Sequence, residues 1–308
     1  MAQQPEASFP KERSLLFSVV VATRNRAALL TSLLGHLCEQ VRDTADTEIV
    51  IVDNQSEDET KRTVERFIQS CSGQPQIRYF YEGRLGLSAA RNAGATVARG
   101  QYVVFLDDDV EPEPCWLSAY RRLVERGPNV RVAGGPIEPR PEPNVDLPSI
   151  GRRYLWVYGH LDYGPSTGPL KSGQKLNGGN VLFDRSTLLK LGGFREIYGH
   201  RGDTLGGGEE QELLAQIRRH SPTSCYYVGK AKVHHRIPAS RATMEWARAR
   251  LRAASEAIAR LEAVHRSHTV VALKSVYYLL ILAASRVLPI NEWRRTECSA
   301  YRDGLRSL

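Results

Sequence analysis

The nine residues Tyr102-Val103-Val104-Phe105-Leu106-Asp107-Asp108-Asp109-Val110 constrain this chain more than any other stretch. Tyr102 to Leu106 is a continuous apolar, β-rich run, which reads as a strand buried on both faces, as in a parallel sheet. Three carboxylates follow at once, then Glu111 and Pro112, which are expected to stop the strand. Adjacent negative charges at the end of a buried strand repel one another unless a cation compensates them. Hard divalent ions with oxygen ligands, Mg²⁺ or Mn²⁺, are the natural compensation and are often shared with a ligand's phosphates. In open α/β sheets, ligands sit beyond the carboxyl ends of the strands. Taken alone, Asp-Asp-Asp reads as a solvated acidic turn; the strand before it and the chain around it favour a site.

That surrounding pattern is strand and helix in strict alternation. Phe17 to Ala22 reads as a first buried strand ending in Thr23-Arg24-Asn25-Arg26, and Leu29, Leu30, Leu33, Leu34 and Leu37 mark one face of a following helix. Glu48 to Val52 is a second strand with Asp53 at its carboxyl end, and Ser56 with Glu59 reads as a capping box for the next helix. Ile77 to Tyr81 is a third strand, followed by a turn at Gly83 to Gly86 and a helix from Leu87 to about Ala98. The alternation calls for a parallel sheet with right-handed crossovers. No G-x-G-x-x-G follows the first strand and no G-x-x-x-x-G-K-[ST] occurs, so a dinucleotide enzyme or P-loop NTPase is disfavoured. An acid ending the second strand, as Asp53 does, commonly contacts a ribose or base in such folds.

Beyond a helix at Trp116 to Glu125 and a short strand at Val130 to Gly135, residues 136–173 are rich in proline and glycine and carry Tyr154, Trp156, Tyr158 and Tyr163. A long irregular segment with that aromatic content suits an ordered, movable lid over a site. Asn177-Gly178-Gly179-Asn180 then offers close backbone approach to a ligand, or a β-bulge. Glu209, Glu210 and Glu212 open a helix with an apolar face at Leu213, Leu214 and Ile217. The macrodipole accounts for Glu212; the glycines 206–208 before Glu209 and Glu210 suit a site that closes. Tyr226 to Val233 reads as a strand ending in His234-His235, a pair able to supply a metal ligand.

Residues 241–266 are expected to be helical, with Met244, Ala247, Leu251, Ala254, Ile258, Leu261 and Val264 on the apolar face and a basic opposite face. Thr269 to Leu288 is the most apolar stretch, but it carries Lys274 and Arg286 and ends at Pro289. It reads as an amphipathic helix packed on the domain or lying in a membrane interface, not as a span. The net charge of +8 is concentrated here: Arg236 to Leu308 holds 13 Lys+Arg against 6 Asp+Glu. Nucleic acid, anionic lipid, an anionic substrate or plain solvation could each account for it, and no nucleic-acid-binding module is recognisable. Five scattered cysteines argue against a disulfide framework, and Met1 to Pro10 lacks an apolar leader segment. Both fit a cytoplasmic protein, free or peripheral on the inner face of the membrane.

Together the motifs resemble the inverting family 2 glycosyltransferases of the GT-A fold over about Ser18 to Arg236. They are Val21 to Arg26, Ile51 to Ser56, Gly86 to Gly94, Phe105 to Asp109, Gly178-Gly179-Asn180 with Gly192-Gly193-Phe194, and Gly208 to Leu213. The resemblance implies a Rossmann-like, mostly parallel α/β sheet flanked by helices. An N-terminal extension (1–15), the catalytic domain (16–235, with 136–173 as lid and acceptor segment) and a basic helical extension (236–308) would divide the chain. It implies that Thr23, Arg24 and Asp53 hold the base and ribose of a nucleotide sugar, with Asn25, Arg84, Arg91, Asn92, Gly179 and Asn180 in the same donor-binding set. Asp109 would bind Mn²⁺ or Mg²⁺, with Asp107 or Asp108 on ribose or sharing the metal, and His235 beside it. Glu210 matches the catalytic base, with Glu209 as the alternative, because the family's usual Glu-Asp pair is Glu-Glu here. The implied activity is hexosyl transfer from a UDP-sugar to an acceptor hydroxyl. A sugar-phosphate nucleotidylyltransferase would want a glycine-rich loop after the first strand, which Thr23 to Arg26 lacks. A non-catalytic nucleotide-sugar-binding or scaffold protein would not need acids at both the metal and base positions.

Overall fold

The computed structural model describes residues 15–42, 44–71, 75–127, 129–200, 202, 206–265, 267–285 and 291–307. The expected N-terminal extension, and Arg286 and Pro289, lie outside these residues, apart from residue 15. Strands β1 (Phe17–Thr23), β2 (Thr47–Asp53), β3 (Gln76–Tyr81) and β4 (Tyr102–Asp107) alternate with helices α1 (Ala27–Val41), α2 (Thr60–Ser70) and α3 (Leu87–Val97). Then come β5 (Val110–Pro112), α4 (Trp116–Glu125), β6 (Val132–Gly134), β7 (Ile137–Pro141), a 3₁₀ turn (Arg152–Tyr158) and β8 (Thr167–Pro169). They are followed by β9 (Asn180–Asp184), α5 (Arg185–Lys190), α6 (Glu209–His220), β10 (Cys225–Val228) and β11 (Val233–Ile237). The chain finishes in α7 (Met244–His265), α8 (His268–Ala284) and α9 (Glu292–Arg306).

Eight strands form one sheet in the order β3-β2-β1-β4-β9-β6-β10-β8, and β5-β11-β7 form a second, small sheet. The first four strands of the large sheet are parallel, whereas β9 runs antiparallel to both β4 and β6. Period-2 alternation sorts the apolar residues of each strand onto two helical layers. Val19, Val21, Ile49, Ile51, Val104 and Leu106 pack toward α1, α2 and α4; Val20, Val50, Val52, Val103 and Phe105 pack toward α3, α5 and α6. Helix α3 lies very close to the sheet because Gly94 faces it: a Cβ there would stand 2.4 Å from Val20 Cγ1.

The register decides where polar residues meet. Thr23 lies opposite Asp53, and Ala22 opposite Asp107, so the ends of β1, β2 and β4 finish together at one edge.

Several expectations are corrected. Glu111 and Pro112 do not end the chain's pairing: Val110–Pro112 is itself a strand, antiparallel to β11, with Val110 opposite His235. Tyr226 to Val233 is not one strand but β10 and β11 in different sheets, and His235 lies within β11 rather than after it. No capping box forms at Ser56 and Glu59; Ser56 Oγ instead accepts from Asn25 N at 2.9 Å, and Asp58 caps Thr60 N at 3.0 Å. The glycines 206–208 are tightly packed: a Cβ on Gly206 would meet Gly199 O at 2.4 Å, and one on Gly208 would meet Leu261 Cδ1 at 2.6 Å. Segment 136–173 is partly regular, holding β7, the 3₁₀ turn and β8. The C-terminal helices pack on it: Ile150, Tyr154, Val157 and Tyr158 share a core with Ile237, Ala247, Leu251 and Trp293.

Candidate active site

The loop after β1 and the end of β4 face each other across a cavity of about 530 Å³. Thr23, Arg24, Asn25 and Arg26 line it on one side, and Asp107, Asp108 and Asp109 on another. Asn25 adopts a left-handed backbone (φ 54°), a conformation Asn tolerates, and its side chain accepts from Glu57 N at 2.7 Å. That contact ties the β1 loop to the β2 loop.

The three aspartates have different tasks. Asp108 is buried and fully engaged: Thr23 Oγ1 donates to it at 2.7 Å and Arg26 Nη1 at 2.6 Å. Burial pushes its carboxyl up to about 6, against the pull of Arg26. Asp109 is buried too, but Arg26 and Arg241 both donate to Oδ2 at 3.0 Å, and His235 Nε2 lies 3.5 Å from Oδ1. Burial raises its pKa, yet His235 and the two arginines outweigh it and hold the carboxyl well below the usual range. Asp107 is the more exposed of the three and accepts from Arg91 Nη2 at 2.8 Å. Arg91, buried within α3, also donates to Glu209 Oε1 at 2.8 Å, so one guanidinium joins the end of β4 to the start of α6. The glycine pair makes room for this bridge: a Cβ on Gly178 would stand 2.7 Å from Arg91 Nη1, and one on Gly179 2.6 Å from Asp107 Oδ2.

Glu209 and Glu210 stand at the N-terminus of α6. Glu209 is buried, with Oε1 on Arg91 and Oε2 lacking a hydrogen-bond partner. Glu210 is half-buried, and burial together with the neighbouring Glu209 charge pushes it up to about 7. Neither glutamate lines the cavity wall itself, but Arg250, which does, feels the charge of both. Burial depresses the Arg250 guanidinium despite those two acids, and its Nη1 donates to Gly206 O at 2.5 Å.

Not every residue of the expected donor set reaches the cavity. Asp53 lies just behind it, accepting from Tyr79 Oη and Ser56 N at 2.8 Å each. Its neighbour Asn54 lines the wall and accepts from Gly86 N at 2.8 Å. Arg84 points outward to Glu82 and Glu196. Asn92 is spent on the Gly192-Gly193-Phe194 turn, accepting from Phe194 N at 2.7 Å and donating to its carbonyl at 2.8 Å. Asn180 is fully buried: Trp116 Nε1 and Tyr120 Oη donate to its Oδ1 at 2.8 Å, and its Nδ2 donates to Pro136 O and Ala231 O. Gly179, also of the expected donor set, does line the cavity.

Arg241, Trp246 and Arg250 were not foreseen as site residues. They come from beyond residue 236, and Trp246 stacks on Tyr158 at 5.6 Å between centroids and 15° between planes. The only trace of them in the sequence is the basic excess of that segment.

Among the described residues no group of three or more His, Cys, Asp and Glu is gathered to hold a cation. The donors that do face each other suit a hard ion completed by a ligand's phosphates. His235 Nδ1 lies 2.7 Å from the Tyr158 carbonyl, the outer contact that metal-binding histidines use, and this orients the ring with Nε2 toward Asp109 Oδ1.

The fold has counterparts among known proteins. A mannosyltransferase of Pyrobaculum calidifontis solved with GDP-Man and Mn²⁺ superposes with a TM-score of 0.59 at 18% identity, over 94% of this chain and 86% of that one. TarS of S. aureus (residues 1–349), solved with UDP, gives 0.58 at 15% identity over 95% and 91%. Both likenesses establish the GT-A fold. In sequence, the chain is 26% identical to chondroitin synthase of Escherichia coli over 75% of its length, and 24% identical to glucosyl-dolichyl phosphate glucuronosyltransferase of Haloferax volcanii over 65%. It spans only 36% and 62% of those two curated relatives. The profile of glycosyl transferase family 2 matches residues 18–182, more than half of the chain, and the protein belongs to that family.

Proposed function

We propose that the protein is a metal-dependent, inverting glycosyltransferase that moves a hexose from a UDP-sugar to an acceptor hydroxyl. The observation that carries this reading is the Asp107–Arg91–Glu209 bridge, which places an acid with a pKa near 7, Glu210, one residue from a network anchored at the end of β4. Inverting transfer is a single displacement. As the acceptor oxygen bonds to the anomeric carbon, its proton passes to Glu210, and the bond from that carbon to the diphosphate oxygen breaks with its electron pair leaving on the diphosphate. A carboxylate with a pKa near 7 is well matched to take that proton near neutral pH. A Mn²⁺ or Mg²⁺ ion held by Asp109 and His235, with Asp107 at hand, would neutralise the departing diphosphate. Arg26 and Arg241 flank the same acid, and Thr23, Arg24 and Asn25 offer the wall for the nucleoside. Trp156 and Trp246 line the cavity on the lid side and suit the acceptor. The reading puts the enzyme in the cytoplasm, its C-terminal helices on the inner face of a membrane.

Structural neighbours support the donor class: TarS has been solved with UDP-GlcNAc, the mannosyltransferase with GDP-Man and Mn²⁺. Calorimetric titration with UDP, GDP and dTDP, each with and without Mn²⁺, tests it. Binding of UDP that requires metal, and that Asp109→Asn removes, is the expected result. Metal-independent affinity in that variant equal to the unsubstituted chain would take Asp109 out of the metal site, and no binding of any nucleotide would leave a scaffold protein.

A further inference from the structure

Helix α8 carries a face that the rest of the fold leaves uncovered. Its buried contact is Tyr278, edge-on to Tyr301 of α9 at 4.9 Å between centroids. On the opposite arc Val270, Leu273, Val276, Tyr277, Leu279 and Leu280 are exposed, Leu273 to 66% and Leu280 to 64%. No Asp, Glu, Lys or Arg shares that arc, because Lys274 turns inward to Glu262 at 2.7 Å and lies 4.4 Å from the Tyr301 ring centroid. Contiguous exposed apolar surface of this kind marks an interaction site.

Width and charge select a lipid surface over a second copy of the chain. A helix–helix seam is a narrow stripe flanked by charges that set register. At 100° per residue, the arc on α8 covers about half the circumference, and Lys274, which borders it, is paired to Glu262 of α7 within the same chain. At its rim the Arg294 guanidinium stacks over Tyr277 at 5.6 Å and Tyr278 at 5.2 Å, while one of its nitrogens pairs with Glu297 at 2.6 Å. An aromatic ring and a cation at the edge of an apolar face suit the headgroup level of a bilayer. The segment from Arg236 to Leu308, with 13 Lys+Arg against 6 Asp+Glu, is drawn to negative lipid. At 1.5 Å per residue α8 is about 25 Å long, less than the roughly 30 Å of a bilayer core. Among the described residues no helix is long and apolar enough to cross a membrane.

We propose that α8 docks the protein on an anionic lipid surface, lying in its plane with Leu273 and Leu280 at the acyl boundary and Arg294 among the headgroup phosphates. The inference deepens the membrane placement of the proposed function and is independent of the proposed catalysis.

Sedimentation of the full chain with vesicles of phosphatidylcholine containing phosphatidylglycerol, and with vesicles of phosphatidylcholine alone, tests it. The chain should sediment with the anionic vesicles, and Leu273→Asp with Leu280→Asp should lower the partition constant more than about tenfold. The thermal midpoint and nucleotide titration should stay unchanged, because both leucines are already solvent-exposed; Leu280→Gln is the milder variant if the midpoint falls. A chain that ignores both vesicle types, or binds both equally, overturns the proposal. So does a dimer in solution that the double substitution splits without any vesicle binding, which would give the face to a second copy. Vesicle binding and nucleotide binding are separate readouts, so failure of one inference leaves the other standing.

Discussion

Glu210 and Asp109 are two carboxylates that their surroundings drive in opposite directions. Around Asp109, His235, Arg26 and Arg241 overcome burial, so it stays ionised. Around Glu210, burial and the Glu209 charge raise the pKa to about 7 from an ordinary 4.5. A base must be deprotonated, so turnover should fall as pH drops below about 7 and level off above it, a limb that a pH profile of kcat would show. The stability effect has the opposite sense. The folded chain holds the Glu210 proton more tightly than the unfolded chain, so this group favours folding at low pH and that contribution is lost as pH rises from about 4.5 through about 7. Glu210→Gln should lose about 10²–10⁴-fold in kcat with nucleotide affinity retained. Near-normal turnover in that variant would return the base role to Glu209 or elsewhere. At this scale the sequence was legible where chemistry is local, as in three adjacent acids or a Glu-Glu pair. It was not legible for Asn180 and Asn92: an Asn beside glycines looks the same whether it meets a ligand or ties Trp116 and Tyr120 together, as Asn180 does.

Among the elements, the strand–helix alternation of residues 17–107 was readable because apolar periodicity is a property of neighbours in the chain. The pairing of β5 with β11 was not, since it joins residues more than a hundred positions apart, yet it is what sets Val110 opposite His235 and carries His235 to Asp109. Helix α3 shows a cost hidden in one residue. Gly94 lets the helix approach the sheet, and Gly94→Ala would force its Cβ into Val20 and Val52. Overpacking of this kind should destabilise the protein by about 1–3 kcal/mol, partly offset by the better helix propensity of Ala. Urea denaturation measures it, and a variant at least as stable as the parent would show that α3 can shift outward freely.

Over the whole molecule, the first of the C-terminal helices reaches the candidate site. Helix α7 and the residues just before it supply Arg241, Trp246 and Arg250 to the cavity and cover Tyr154, Val157 and Tyr158 of the 3₁₀ turn. Removing residues 236–308 should therefore abolish nucleotide binding and expose an apolar surface that aggregates. A truncated chain that stays monodisperse and binds nucleotide with full affinity would confine the site to residues 16–235. By itself the sequence determined the alternating α/β sheet, the acids at the end of β4 and the glutamate pair opening α6, because burial patterns and clustered charge are written in consecutive residues. Only the tertiary structure decided that Arg91 joins Asp107 to Glu209, that His235 faces Asp109, and that a basic helical tail closes the cavity. Those three depend on strand register and helix packing across the chain, which no local pattern encodes.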